Sequence, residues 1–332
     1  MDPLTQGLLG AALPQASSAP RYAASAGLLG FLAGMAADLD VLIRSASDPL
    51  LFLEYHRQFT HSLVFIPLGG FICALVLHAL LGRRRGLTFR QTWLFCTLGY
   101  ATHALLDACT TYGTMLFWPF SDARIAWNTI SIIDPLFTIP LLLAVVLAAR
   151  RRKPLYARIG MVWALSYMAL GLWQHNEAQD MGYALAAQRG HTPLSLEAKP
   201  SFANILVWKI VYETDGRFYV DAVRSGVAPK VFEGSSVPKL DVGRDMPWLD
   251  PGSQQARDIE RFRWFSNGYI ALDPLHIHRV IDIRYSMIPN EVSPLWSIKL
   301  DPQLGREAHA AYLVHRDTGS AGTRMWAMLT GP

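Results

Sequence analysis

The sequence predicts an α-helical integral membrane bundle, four clear spans plus an N-terminal helical hairpin, followed by a small extracytoplasmic β-rich domain. Three observations carry this. Only 17% of the 332 residues are charged while 51% are hydrophobic, and the mean hydropathy is +0.20; soluble domains run nearer a quarter charged. Residues 63–82 contain no charge and one imidazole, His78, and at about 1.5 Å rise per residue they can cross a hydrocarbon core of roughly 30 Å. Beyond Gln174 the long apolar runs give way to alternation, with more charge, Pro and Gly. The boundary is therefore drawn between residues 1–175 and 176–332.

Taken in order, residues 4–13 are apolar but too short to cross alone. Residues 23–37 are apolar and rich in small side chains, and with Pro20 and Arg21 between them the two segments form the predicted hairpin. Residues 63–82 are the first clear span, followed by spans at about 92–109, 130–149 and 156–174. Arg83, Arg84, Arg85 and Arg90 lie between two spans, and Arg150, Arg151, Arg152, Lys153 and Arg158 between the next two. Basic loops stay in the cytoplasm, so residues 38–61, 108–129 and everything after Gln174 are placed on the opposite side. In the last region, 205–212 and 217–223 flank Asp215 and Gly216 and read as a β-hairpin. Residues 264–272, 278–286 and 296–300 read as further strands, and 176–189 as a helix.

The net charge of +4 and a pI near 9.0 do not imply nucleic acid, because the basic residues sit in short runs beside apolar stretches and report topology. Cys73, Cys96 and Cys109 lie in or beside apolar stretches with no paired spacing, which argues against a disulfide framework or a thiolate metal site. No Lys or Arg precedes Arg21, so the basic region of a secretory signal is missing and the first apolar segment is expected to be retained.

Four clusters carry chemistry, all in the N-terminal half: Asp38 with Asp40, His56 with His61, His103 with Asp107, and Asp134 one turn into the third span. His103 and Asp107 are four apart, so a helix sets them on one face, a turn apart. His56 and His61 are five apart and share no helical face; with Thr60 or Ser62 capping the next helix, they belong to a loop and a helix entrance. Singly, each cluster has a bland account. A lone HxxxD is most often a polar helix contact, Asp38 and Asp40 suit a solvated helix end, and Asp134 before Pro135 suits a helix start. His56 with Arg57 suits lipid phosphate. His78, at the cytoplasmic end, reads as a packed or snorkelling side chain, and His276, His278 and His315 on predicted strands read as structural.

Convergence is what these accounts leave out, because the predicted topology delivers all four clusters to the non-cytoplasmic end. Ionisable groups at membrane depth cost on the order of 3 kcal/mol each, and neighbouring carboxylates repel one another. A divalent cation relieves both costs, and imidazole with carboxylate oxygen suits zinc, manganese or a related ion.

Several stretches recur together: MDPLTQ through Gly10, the approach from Gly30 ending in DLD, HRQFTHSL from His56, GYATHALLDACTTYGT from Gly99, WPFSD from Trp118 and IIDPLFTIPLL from Ile132. In this combination the sequence resembles the YdjM family of membrane-bound metal-dependent hydrolases, over roughly residues 1–150. The resemblance implies Asp38, Asp40, His56, His61, His103 and Asp107 as metal ligands or near-ligands. Many members have a His where this chain has Gln6, a position left to the Gln carbonyl oxygen or to water.

The expectation is therefore metal-assisted hydrolysis at the outer face of a bacterial inner membrane, on a lipid or phosphoester. Asp40 is expected to act as a free carboxylate beside the ion, and Arg57 to meet phosphate with its planar fork. Gln6, Thr60, Ser62, Thr110, Thr111 and Asp134 are expected to orient the ligands. A transporter or ion-binding membrane protein, and a non-catalytic anchor or assembly factor, are the alternatives.

Overall fold

Asp2 opens the first helix by accepting the Thr5 amide at 3.0 Å, with Pro3 in the first turn, where its missing N–H costs nothing. In the computed structural model, which describes residues 1–315, 319 and 321–331, helix α1 (Pro3–Ser17) is joined to α2 (Ala23–Met35) by a short turn at Pro20–Tyr22. A 3-10 stretch, Ala36–Leu42, continues α2. The short α3 (Leu51–Tyr55) precedes α4 (Ile66–Leu77), which is extended by a π turn, His78–Gly82. Next come α5 (Phe89–Ala108), α6 (Pro135–Arg151) and the long α7 (Pro154–Gln188).

Among the described residues three helical stretches are long and apolar enough to cross a membrane: Pro20–Leu42, Leu63–Arg85 and Pro154–Gln188. In the second of these Leu68, Phe71, Ile72, Leu75 and Val76 are all exposed, a surface that suits lipid rather than water. The expected four spans plus hairpin are thus drawn differently. The 3-10 extensions lengthen the second arm of the hairpin into a span of its own. By contrast α5 carries Arg90, His103 and Asp107, and α6 has 17 residues. The third predicted span was to begin at residue 130, but its helix starts at Pro135, because Asp134 is the N-cap and not a residue one turn inside.

Small residues let α1, α2 and α5 touch backbone to backbone. A Cβ on Gly99 would lie 2.4 Å from the Gly30 carbonyl oxygen, and one on Gly30 would lie 2.2 Å from that of Gly10. Only glycine permits this approach.

The chain divides into two compact units: the first comprises Met1–Leu42, Tyr55–Leu172 and Phe202–Asn204, and the second Ile43–Glu54, Trp173–Ser201 and the chain from Ile205. In the second unit an antiparallel sheet has the order β1 (Ser195–Pro200), β2 (Val207–Thr214), β3 (Arg217–Arg224), β4 (Lys230–Pro238). Asp215 and Gly216 both have positive φ, 49° and 68°, and close the expected β2–β3 hairpin. A second antiparallel sheet is ordered β5 (Ile270–Leu272), β6 (Arg279–Asp282), β7 (Trp296–Lys299), β8 (Ala311–Val314). The two sheets share a core of Val211, Phe218, Val220, Val237, Tyr269, Ala271, Ile281 and Ile283.

Helices α8 (Val242–Asp245), α9 (Gln254–Phe265) and α10 (Ala321–Thr330) complete the unit. The strand predicted at 264–272 is a correction: α9 runs through Phe265, burying Ile259, Phe262 and Phe265, and only Ile270–Leu272 is extended. The helix expected at 176–189 is the end of α7.

Candidate metal centre

Helix α5 starts from a capping box in which the Thr88 hydroxyl accepts the Gln91 amide and the Gln91 side chain returns to Thr88. Fifteen and nineteen residues on from Thr88, His103 and Asp107 project from one face, both fully buried. The 3-10 stretch after α2 supplies Asp38, about a quarter exposed, and Asp40, which is buried. His61 ends a 3-10 turn, Phe59–His61, and the next residue, Ser62, caps the following turn through the Phe65 amide.

These elements bring four donor atoms together. The Nε2 atoms of His61 and His103 are 2.9 Å apart. Asp38 Oδ1 lies 3.5 Å from the first and 3.4 Å from the second, and Asp107 Oδ2 lies 3.2 and 3.6 Å from them. All four residues offer donor atoms within 4.8 Å of one another. A tetrahedral ion with ligands at about 2.0–2.1 Å holds its donors roughly 3.3 Å apart, and the measured separations bracket that value.

The outer contacts fix which atoms carry lone pairs. His103 Nδ1 donates to the Gly34 carbonyl oxygen at 2.5 Å, and His61 Nδ1 lies 3.2 Å from Asp40 Oδ2. His61 Nδ1 also meets the Thr60 hydroxyl at 2.9 Å, which gives its one proton to Asp40 and so accepts here; each neutral ring therefore turns a bare Nε2 inward, the tautomer a metal ion requires. One buried oxygen nearby, Gln6 Oε1, has no hydrogen-bond partner, while Asp107 Oδ2 is met by the Arg57 guanidinium. The donor set fits a divalent cation. A proton is the alternative occupant. Burial disfavours a charged His61, but hydrogen bonds to the carboxylates of Asp107, Asp38 and Asp40 outweigh it and push the ring up to about 10.

Asp40 serves as a hub. Its Oδ1 meets His56 Nδ1 at 2.7 Å, and its Oδ2 accepts the Arg57 amide at 2.9 Å and the Thr60 hydroxyl at 2.8 Å as well as facing His61. Asp38, Asp40 and His56 form a second group of candidate ligands adjoining the first. His56 is the most open of the three rings, with 19% of its side chain exposed. Burial lowers its pKa, against the pull of Asp40.

Arg57 sits in the left-handed region, φ 65°, and is buried. Its guanidinium turns inward: Nε is 3.0 Å from Asp107 Oδ2, Nη1 donates to Thr110 Oγ1 at 3.2 Å, and its carbon lies 4.7 Å from the Tyr112 ring centre. The Thr110 hydroxyl donates to the Asp107 carbonyl oxygen at 2.7 Å, and Thr111, the next residue, is also buried. Gln6 Nε2 donates to Asp107 Oδ1 at 2.8 Å and to the His103 carbonyl oxygen at 3.3 Å, and the Met1 amino group also pairs with Asp107.

Thus the structure gathers Asp38, Asp40, His56, Arg57, Thr60, His61, His103, Asp107, Thr110 and Gln6. Asp134 it does not: Oδ1 accepts the Leu136 and Phe137 amides and Oδ2 the Tyr167 hydroxyl, so both oxygens serve α6 and α7. Ser62 acts as a cap. Sequence reasoning missed the Gly34 carbonyl, Tyr112 and Tyr100, whose hydroxyl donates to the Thr60 carbonyl oxygen at 2.7 Å. The spacing of Gly30 and Gly34 was the one available signal for the first. His78 meets Thr92 at 3.0 Å, while His276, His278 and His315, read as strand residues, lie in the turn before β6 and just after β8, where His276 pairs with Asp273, His278 lies against Trp248 and His315 meets Ser297.

The family described as YdjM inner membrane protein matches residues 1–178. The chain is 36% identical to the inner membrane protein YbcI of Escherichia coli over 110 residues, covering 31% of this chain and 60% of that protein. It is 24% identical to the uncharacterized protein YfhP of Bacillus subtilis over 310 residues, covering 86% of this chain and 87% of that one. No solved structure matches.

Proposed function

The chain belongs to the YdjM inner membrane protein family, and we propose that it is a metal-dependent hydrolase holding one divalent ion, zinc or manganese, between Asp38, His61, His103 and Asp107. The observation that carries this is the inward-facing quartet of donors, with both imidazoles fixed in the ligating tautomer. When bound, such an ion polarises a carbonyl or phosphoryl oxygen and makes water acidic enough to act near neutral pH.

The protein's own groups supply the rest. Asp40 orients His61 and His56 together, and His56 Nε2 is the position from which a proton can be taken up or returned. Arg57 pairs with Asp107 and balances its charge. In this reading Arg57, with its planar fork, is the group that would meet a phosphoryl oxygen.

A lipid or phosphoester substrate suits the surroundings, because exposed Leu39, Val41 and Leu42 border Asp38 and Asp40. The basic runs at Arg83–Arg85 and Arg150–Lys153 support an orientation with the site and the C-terminal unit outside the cytoplasm.

Metal analysis of detergent-purified protein tests the centre, comparing the wild type with His103→Ala and Asp107→Ala. One equivalent of ion in the wild type and none in either variant is expected. Phosphate release from a lipid phosphate by the loaded wild type, absent from Asp107→Ala, tests the hydrolysis; metal without turnover on any ester would favour an ion-binding role.

A further inference from the structure

Residues Ile43–Glu54 lie in sequence between Asp38 and Asp40 on one side and His56 and His61 on the other, yet they belong to the C-terminal unit. Leu50 and Leu53 of this segment are fully buried, and the Phe52 ring meets Tyr312 edge-on with centres 5.0 Å apart. The polar grip is one side chain of α9, Arg261. Its Nη1 and Nη2 donate in parallel to Asp48 Oδ1 and Oδ2 at 3.0 and 2.8 Å, and its Nε donates to Glu54 Oε1 at 2.5 Å. Nη1 also donates to Asp258 Oδ1 at 3.0 Å. Asp258 is in turn fixed by the Gln254 amide group, the Ala310 backbone amide and His309.

This is more than a surface ion pair, which would contribute little. A forked contact shared among three carboxylates holds geometry as well as charge. Asp48 lies at the middle of the segment and Glu54 at its end, two residues before His56.

We propose that Arg261 is a positioning residue for the metal centre: by gripping Asp48 and Glu54 at once, the C-terminal unit fixes the path of the chain between the two halves of the ligand set. The β-rich unit thereby acquires a role, tuning how tightly the ion is held. The inference rests on the metal reading above, and its test separates the two.

Full-length protein in detergent is titrated with Co2+, read by the visible absorption of the bound ion. The wild type is compared with Arg261→Met, Arg261→Lys and the double variant Asp48→Asn, Glu54→Gln, with unfolding of the C-terminal unit followed by Trp fluorescence. Arg261→Met and the double variant are expected to bind at least about tenfold more weakly, as for other supports of metal ligands, and to show an altered Co2+ spectrum. Arg261→Lys, which keeps the charge but not the fork, is expected to fall between. The double variant leaves the Arg261–Asp258 pair intact, so it carries the test if Arg261→Met does not fold. Wild-type affinity and spectrum in the double variant would overturn the role of Arg261 while leaving the metal centre standing. A wild type that binds no Co2+ would remove the metal centre, and this inference with it.

Discussion

His61 and His103 face each other through their Nε2 atoms at 2.9 Å, while each Nδ1 is already turned to accepting oxygens, the Gly34 carbonyl for His103 and Thr60 Oγ1 with Asp40 Oδ2 for His61. Two lone pairs so close, with the Asp38 and Asp107 carboxylates beside them, are tolerable only around a positive charge. Removing a ligand and removing a support should therefore differ in kind. Asp107→Ala deletes a donor and should abolish stoichiometric binding. Asp40→Asn leaves the quartet in place but loosens His61 and His56, so metal affinity should fall by about 10–100-fold without vanishing. Competitive chelator titration of the two variants distinguishes them, and equal loss in both would place Asp40 among the ligands.

Gly99 offers a test of how the bundle shapes the site. Its substitution by Ala sets a Cβ 2.4 Å from the Gly30 carbonyl oxygen, a backbone atom that cannot step aside. Helices α2 and α5 must part, and the Gly34 carbonyl that orients His103 rides on α2. Overpacking of this kind costs about 1–3 kcal/mol. Chemical unfolding in detergent should report that loss, and metal affinity should drop with it, although no ligand has changed.

Asp134 provides the contrast. It caps α6 and holds Tyr167, so Asp134→Ala should cost about 1 kcal/mol or somewhat more through the lost cap. Metal content should stay at the wild-type level. Loss of the ion from this variant alone, with stability unchanged, would return Asp134 to the site.

The fate of Asp134 shows where the sequence was legible. Its neighbour Pro135 announced a helix start, and that local rule prevailed over the attraction of a further carboxylate near the site. His103 and Asp107 were readable because helical spacing fixes their common face. Asp38, His56 and His61 were readable only as a group, through the topology that carries them to one end. The division of labour between Asp38 as donor and Asp40 as hub was not readable, since two carboxylates two residues apart look alike until the 3-10 turn separates them. The same limit explains α9: the aromatic pair Trp264 and Phe265 suits a strand as well as a helix, and only packing of Ile259, Phe262 and Phe265 reveals the helix. The excursion of residues 43–54 into the C-terminal unit left no trace in composition, because it depends on partners such as Arg261 and Tyr312, more than two hundred residues away.

In the C-terminal unit, Lys209 should make stability depend on pH. It is buried on β2, where desolvation pushes its ammonium down to about 7, and Nζ donates to Ser286 Oγ, the Glu291 carbonyl oxygen and the Pro289 carbonyl oxygen at 2.9, 2.7 and 3.3 Å. An unfolded lysine titrates near 10.4, so between about pH 7 and that value the unfolded chain holds a proton that the folded chain has released. Stability must then rise with pH across this window, by up to about 1.4 kcal/mol per unit from this group alone, and level off below and above it. Lys209→Met removes the titrating group and should flatten that part of the profile, whatever constant offset the three unpaired oxygens introduce. Urea unfolding followed by Trp fluorescence at several pH values from 7 to 10, wild type against variant, measures the difference in slope. Parallel profiles would mean that the three oxygens fully offset the cost of burial and that Lys209 stays charged in the folded chain.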